Sequence, residues 1–171
     1  ADNNESRPDR AVGATFHHEF AHILDEEYPF PEEAWRDCNP EGFVYEKEKP
    51  YEDEKDLWGK GFFSNYAMED VGEDFPEFSE LMFTEPRKAK LLIDNFPRLH
   101  KKYRIWLKVY QKIDPNFFTE EHFSPKNLIP AKQPENMTEK DDLLQIKGIY
   151  YNLHSGKIFT GKTVGFEQGK K

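Results

Sequence analysis

Prolines set the lengths of the elements this 171-residue chain can build, because proline either opens a helix or breaks it. From Val12 to about Glu26 no proline intervenes. Phe16, Phe20, Ile23 and Leu24 recur there at three- and four-residue spacing, which predicts a helix. Residues 1–10 ahead of it are polar and aperiodic and read as a frayed lead-in. Tyr28-Pro29-Phe30-Pro31 stops the helix. Residues 32–65, with Pro40, Gly42, Pro50, Gly59, Gly61 and a charge run from Glu52 to Asp56, read as a long surface excursion with one short helix.

Glu73 to about Phe83 repeats the helical pattern through Phe75, Phe78, Leu81 and Met82. Pro86 permits a restart that Lys90 to Asn95 continues. Pro97 fits the first turn of a further helix to about Ile113, built on Leu99, Tyr103, Trp106, Leu107 and Tyr110. Asp114-Pro115-Asn116 ends it. Residues 119–138 read as loop, and Thr138 with Asp141 resembles the cap of one short helical turn. Ile146, Ile149, Tyr150, Tyr151 and Leu153, then His154-Ser155-Gly156, then Ile158, Phe159, Thr160 and Thr163 predict a hairpin over 146–164. The expectation is one domain over 1–171, α+β and mainly helical.

Composition narrows the function classes. Hydrophobic residues reach only 36%, but aromatics reach 15%, and these large side chains supply the burial that a chain this charged needs to fold. The single cysteine, Cys38, excludes an internal disulfide framework and a cysteine-based zinc knuckle. No apolar run approaches the roughly 18 residues of a transmembrane segment. Residues 1–85 carry a net charge of −17 and residues 86–171 a net charge of +8. The acidic half argues against nucleic acid as a partner, and the basic half reads as its electrostatic complement.

His18-Glu19-Phe20-Ala21-His22, an HExxH pattern, lies inside the first predicted helix. Residues four apart on a helix share a face, so His18 and His22 can hold one zinc ion. Glu19, one position along, can reach a metal-activated water without ligating and suits the role of general base. Phe16, Phe20 and Ile23 are expected to bury one side of this helix. His17 has Ala21 as its i+4 partner, so it reads as structural or as a support to the site.

A catalytic zinc needs a third protein ligand and one open position. Asp25 and Tyr28 stand where a compact His-x-x-Gly-x-x-His continuation needs glycine and histidine, which excludes that class. The segment 73–80 offers Glu73, Asp74, Glu77 and Glu80 instead. Glu73, Glu77 and Glu80 share one helical face, and His100 and His122 are rivals.

His17 to Leu24 resembles the active-site helix of the gluzincin-type zinc-binding metallopeptidase family found among Bacteroidetes lipoproteins. Gly61-Phe62-Phe63-Ser64-Asn65-Tyr66-Ala67, with Glu73-Asp74-Phe75-Pro76-Glu77, resembles that family's second motif. Glu73 to Pro115 is similar to the Mlc titration factor A peptidases and, more distantly, to the anthrax lethal factor catalytic domain. The resemblance spans residues 14–115. It implies a zincin-like fold, an active-site helix plus a second Glu-bearing helix, and one Zn²⁺ per chain. It also implies Glu73 as third ligand, Tyr66 as an oxyanion-stabilising tyrosine and Glu77 as the acid orienting a ligating histidine. The implied partner is a peptide or protein substrate, and the implied location is exported or envelope-associated.

Two departures stand against this resemblance. Pro76 replaces a small residue and requires the helix to begin near Glu73. Zincin domains place a β-sheet before the HExxH helix, whereas about eleven residues precede it here, so either upstream sequence is missing or the C-terminal hairpin stands in. The primary expectation is a zinc-dependent peptidase. Its alternatives are a non-catalytic zinc-binding domain and a metal-free helical interaction module gripping an acidic partner through helix 97–113.

Overall fold

The computed structural model describes residues 8–47, 50–124, 137–139, 143–146, 149–152 and 162–164. Its helices are α1 (Pro8–Glu27), α2 (Glu32–Arg36), α3 (Glu54–Lys60), α4 (Val71–Thr84), α5 (Pro86–Asn95) and α6 (Pro97–Tyr110), with a 3₁₀ turn at Tyr66–Met68 before α4. The strands are β1 (Met137–Glu139), β2 (Leu143–Ile146), β3 (Ile149–Asn152) and β4 (Lys162–Val164). The fold is mainly helical. No described helix is long and apolar enough to cross a membrane.

Helix α4 organises the rest because two of its faces are occupied. Val71, Phe75, Phe78 and Met82, spaced at four, three and four residues, are buried in the core. Each such side chain contributes roughly 1.5–3 kcal/mol by leaving water. Phe30 stacks on Phe75 at 4.7 Å, and Trp35 meets both Phe75 and Phe78 edge-on at 5.4 Å. From the far side α6 delivers Leu99, Tyr103, Trp106, Leu107 and Tyr110, all buried. The other face of α4 packs along α1, where His18, Ala21 and Leu24 are buried. Asp70 starts α4 by accepting from the Gly72 amide at 2.8 Å. Pro86 and Pro97 occupy the first turns of α5 and α6, as their fixed φ favours.

Several sequence expectations are corrected. Phe16 and Ile23 are 62% and 63% exposed, and Phe20 is exposed as well. The reason is that α1 docks on α4 through the His18–Ala21–Leu24 face, and the aromatic stripe lies on the other side of the helix. Residues 32–65 are more than a surface excursion: they form two short helices and place Trp35, Leu57, Trp58 and Phe62 in the core. Gly61 closes α3 at φ 96°, and a Cβ there would stand 2.9 Å from the Arg98 Cβ. Pro76 lies one turn inside α4, which begins at Val71, so its position forgoes one backbone bond to the Gly72 carbonyl.

The C-terminal strands pair differently from the expected hairpin over 146–164. β2 pairs antiparallel with β3, Leu143 opposite Asn152 and Ile146 opposite Ile149. β1 pairs parallel with β4, Met137 opposite Lys162. Thr138 is in a strand, not at a helix cap. The expected turn at His154-Ser155-Gly156, most of the loop over 119–138 and the lead-in up to Arg7 lie outside the described residues.

Candidate metal centre

The i, i+4 spacing on α1 puts the rings of His18 and His22 side by side, with centroids 5.0 Å apart. Their Nε2 atoms are 3.3 Å from each other. Across the helix pair, Glu73 in the first turn of α4 brings Oε2 to 3.1 Å from His18 Nε2 and 3.4 Å from His22 Nε2. Three donor atoms from two helices therefore converge on one point. A tetrahedral ion with ligand bonds of 2.0–2.1 Å separates its ligand atoms by about 3.3 Å. The three observed distances match that edge, so the residues fit zinc.

The opposite nitrogen of His18 strengthens the fit. Its Nδ1 lies 3.1 Å from Glu77 Oε1 and 3.7 Å from Glu80 Oε2, each one or two turns along α4 from Glu73. A proton assigned to Nδ1 on the strength of these carboxylates leaves a lone pair on Nε2. That lone pair then faces a carboxylate oxygen at 3.1 Å, an arrangement that a cation between them satisfies. Burial raises the pKa of Glu80, and the negative charge of Glu77 raises it further. His18, Glu77 and Glu80 form a second group of close donor atoms, sharing His18 with the first.

Glu19 is exposed on α1 beside His18. Tyr66, 45% exposed in the 3₁₀ turn, holds its ring 6.0 Å from that of His18. Its phenol pKa is raised, first by partial desolvation and then by the charge of Glu73, so the group stays protonated and able to donate at neutral pH. His17 stacks on Phe83 at 4.7 Å, and burial lowers its pKa. His100 and His122 are exposed and belong to neither group of converging donors among the described residues.

Asp74, weighed as a ligand from sequence, points away from this centre. It is 1% exposed and its Oδ2 accepts from Trp35 Nε1 at 2.8 Å, Tyr45 OH at 2.6 Å and Lys102 Nζ at 2.6 Å. Lys102 is fully buried, with its ammonium 3.9 Å from the Phe62 ring centroid. Desolvation raises the Asp74 pKa and lowers that of Lys102, and each group's charge opposes the other's shift. This pair ties the first turn of α4 to α2 and α6. A sequence signal for it exists: Lys102 is a lone charge on the apolar face between Leu99 and Trp106.

Ser64 also went unassigned at the sequence level. Its Oγ donates to Glu77 Oε2 at 2.5 Å and accepts from the Ala67 amide at 3.1 Å. Nothing in local periodicity distinguishes such a serine from any other loop residue.

Residues 2–94, just over half of the chain, match a family model described as "Putative zinc-binding metallo-peptidase". No curated protein matches, and no solved structure matches.

Proposed function

Starting from the fact that the chain belongs to this family, we propose that it is a zinc-dependent peptidase with His18, His22 and Glu73 as the metal ligands. The observation that carries this reading is the triangle of donor atoms with sides of 3.1, 3.3 and 3.4 Å. Zinc, when bound, supplies Lewis acidity that polarises a carbonyl and makes water acidic enough to attack near neutral pH.

The chain's own residues do the remaining work. Glu19, exposed and adjacent to His18, accepts the proton of the attacking water and passes it to the leaving amine. Tyr66, at the edge of the same centre, donates its hydroxyl proton in a hydrogen bond to the carbonyl oxygen as negative charge develops there. Glu77 holds the His18 ring through Nδ1 and favours the tautomer whose Nε2 lone pair is available. The reading includes the kinship inferred from sequence with the Mlc titration factor A peptidases and the lethal factor catalytic domain.

Elemental analysis paired with a broad peptide library tests this function. The expected result is about one zinc per chain and cleavage of peptides by the wild type. Glu19→Gln is expected to retain the metal and to lower kcat at least about 100-fold, the scale of a lost general base. A folded, metal-free protein overturns the zinc assignment. Bound zinc with no cleavage identifies a non-catalytic zinc domain.

A further inference from the structure

The two oxygens of Glu77 do different things. Oε1 lies 3.1 Å from His18 Nδ1, whereas Oε2 takes the hydroxyl of Ser64. The same Ser64 oxygen accepts the Ala67 amide, which belongs to the 3₁₀ turn that carries Tyr66. A single hydroxyl therefore joins the carboxylate behind His18 to the backbone that presents Tyr66. The turn is braced on its other side by Asn65, whose side chain accepts from the Glu52 amide at 2.8 Å and donates to the Glu52 carbonyl at 3.0 Å.

Building on the zinc-peptidase reading, we propose that Ser64 is a positioning residue: by donating to Glu77 it fixes the His18 ring, and by capping the Tyr66 turn it fixes the tyrosine in the same frame. The physical reason lies in the competition at His18 Nδ1, where Glu77 and Glu80 both stand within 4 Å. A carboxylate free to rotate about its terminal torsion would share that nitrogen loosely. With Oε2 committed to Ser64, Oε1 is left aimed at the ring. Partners of this kind behind a ligating histidine commonly govern metal affinity by 10–100-fold.

Zinc affinity of the full chain, measured by competition with a chromophoric chelator, tests this. Ser64→Ala and Ser64→Asp are each expected to weaken zinc binding about tenfold, while Ser64→Thr, which keeps the hydroxyl, binds as the wild type does. Ser64→Asp is the discriminating variant, since its carboxylate can still cap the Ala67 amide but has no hydroxyl to donate to Glu77. Adding Ser64→Ala to Glu77→Gln is expected to cause no further loss, because the serine acts through that carboxylate. Wild-type affinity in Ser64→Asp, or additive losses in the double variant, overturns the proposal and leaves a turn cap. A wild type that binds zinc but cleaves no peptide defeats the peptidase reading alone, and these affinities still decide the role of Ser64. A wild type that binds no zinc defeats both.

Discussion

His18 on α1 and Glu73 on α4, 55 residues apart in the chain, bring Nε2 and Oε2 to within 3.1 Å of each other. The contact lies where α1 packs against α4, so an ion held there would also tie these two helices together. On the proposed zinc reading, metal binding and stability are linked.

Zinc is expected to stabilise the fold by mass action. At free zinc about 1,000-fold above its Kd, the stabilisation is about 4 kcal/mol. Thermal melting with zinc and with a chelator measures the difference. His22→Ala or Glu73→Gln is expected to remove most of it, because each deletes a donor from the triangle.

Tyr66→Phe is expected to leave zinc content unchanged, since the phenol is a hydrogen-bond partner of Glu73 and not one of the three converging donors. Loss of one oxyanion donor lowers kcat by about 100-fold or more, with KM little changed. Steady-state kinetics on a peptide found by library screening checks this. An equal fall in zinc content would make Tyr66 a structural element of the centre instead.

Asp74 and Lys102 form an ion pair whose members are both out of water. Asp74→Ala or Lys102→Ala strands one buried charge and is expected to cost about 3–5 kcal/mol in urea denaturation. Replacing both with apolar residues, Asp74→Leu with Lys102→Met, is expected to cost less than Asp74→Ala alone, which loses the same Trp35 and Tyr45 hydrogen bonds and leaves the lysine charge unpaired as well. The attraction between the pair is offset by the desolvation of both charges, so removing both at once strands neither.

Alkaline pH is expected to weaken the fold through buried tyrosines, Tyr103 and Tyr110 among them. Burial raises the phenols of Tyr103 and Tyr110 each to about 12 from an ordinary value of 10. The folded state thus holds protons that the unfolded state releases. Stability from this source is complete below pH 10 and is lost as pH rises through about 12. For two groups the loss is on the order of a few kcal/mol. Denaturation midpoints followed with tyrosinate absorbance from pH 8 to 12 test it, and Tyr110→Phe should flatten the slope.

Sequence alone reached α1, α4 and α6 because their apolar periods and their prolines act within a few residues. It also reached the pairing of His18 with His22, since a helix fixes the geometry of i and i+4. The side of α1 that is buried was not legible. Phe16, Phe20 and Ile23 make the more hydrophobic stripe, yet the His18–Ala21–Leu24 face docks, and only the partner helix determines that choice. Which acid of 73–80 faces the histidines was likewise a tertiary matter. Glu73 and Asp74 are neighbours in sequence, but the rotation of about 100° between successive residues of a helix points Glu73 at His18 and Asp74 at buried Lys102. The sequence determined which candidate ligands the chain carries and on which helices they sit. The packing of α4 against α1 and α6 decided which carboxylate meets the two histidines, which neutralises a buried lysine and which serine stands behind His18, because those contacts bridge segments with no local coupling.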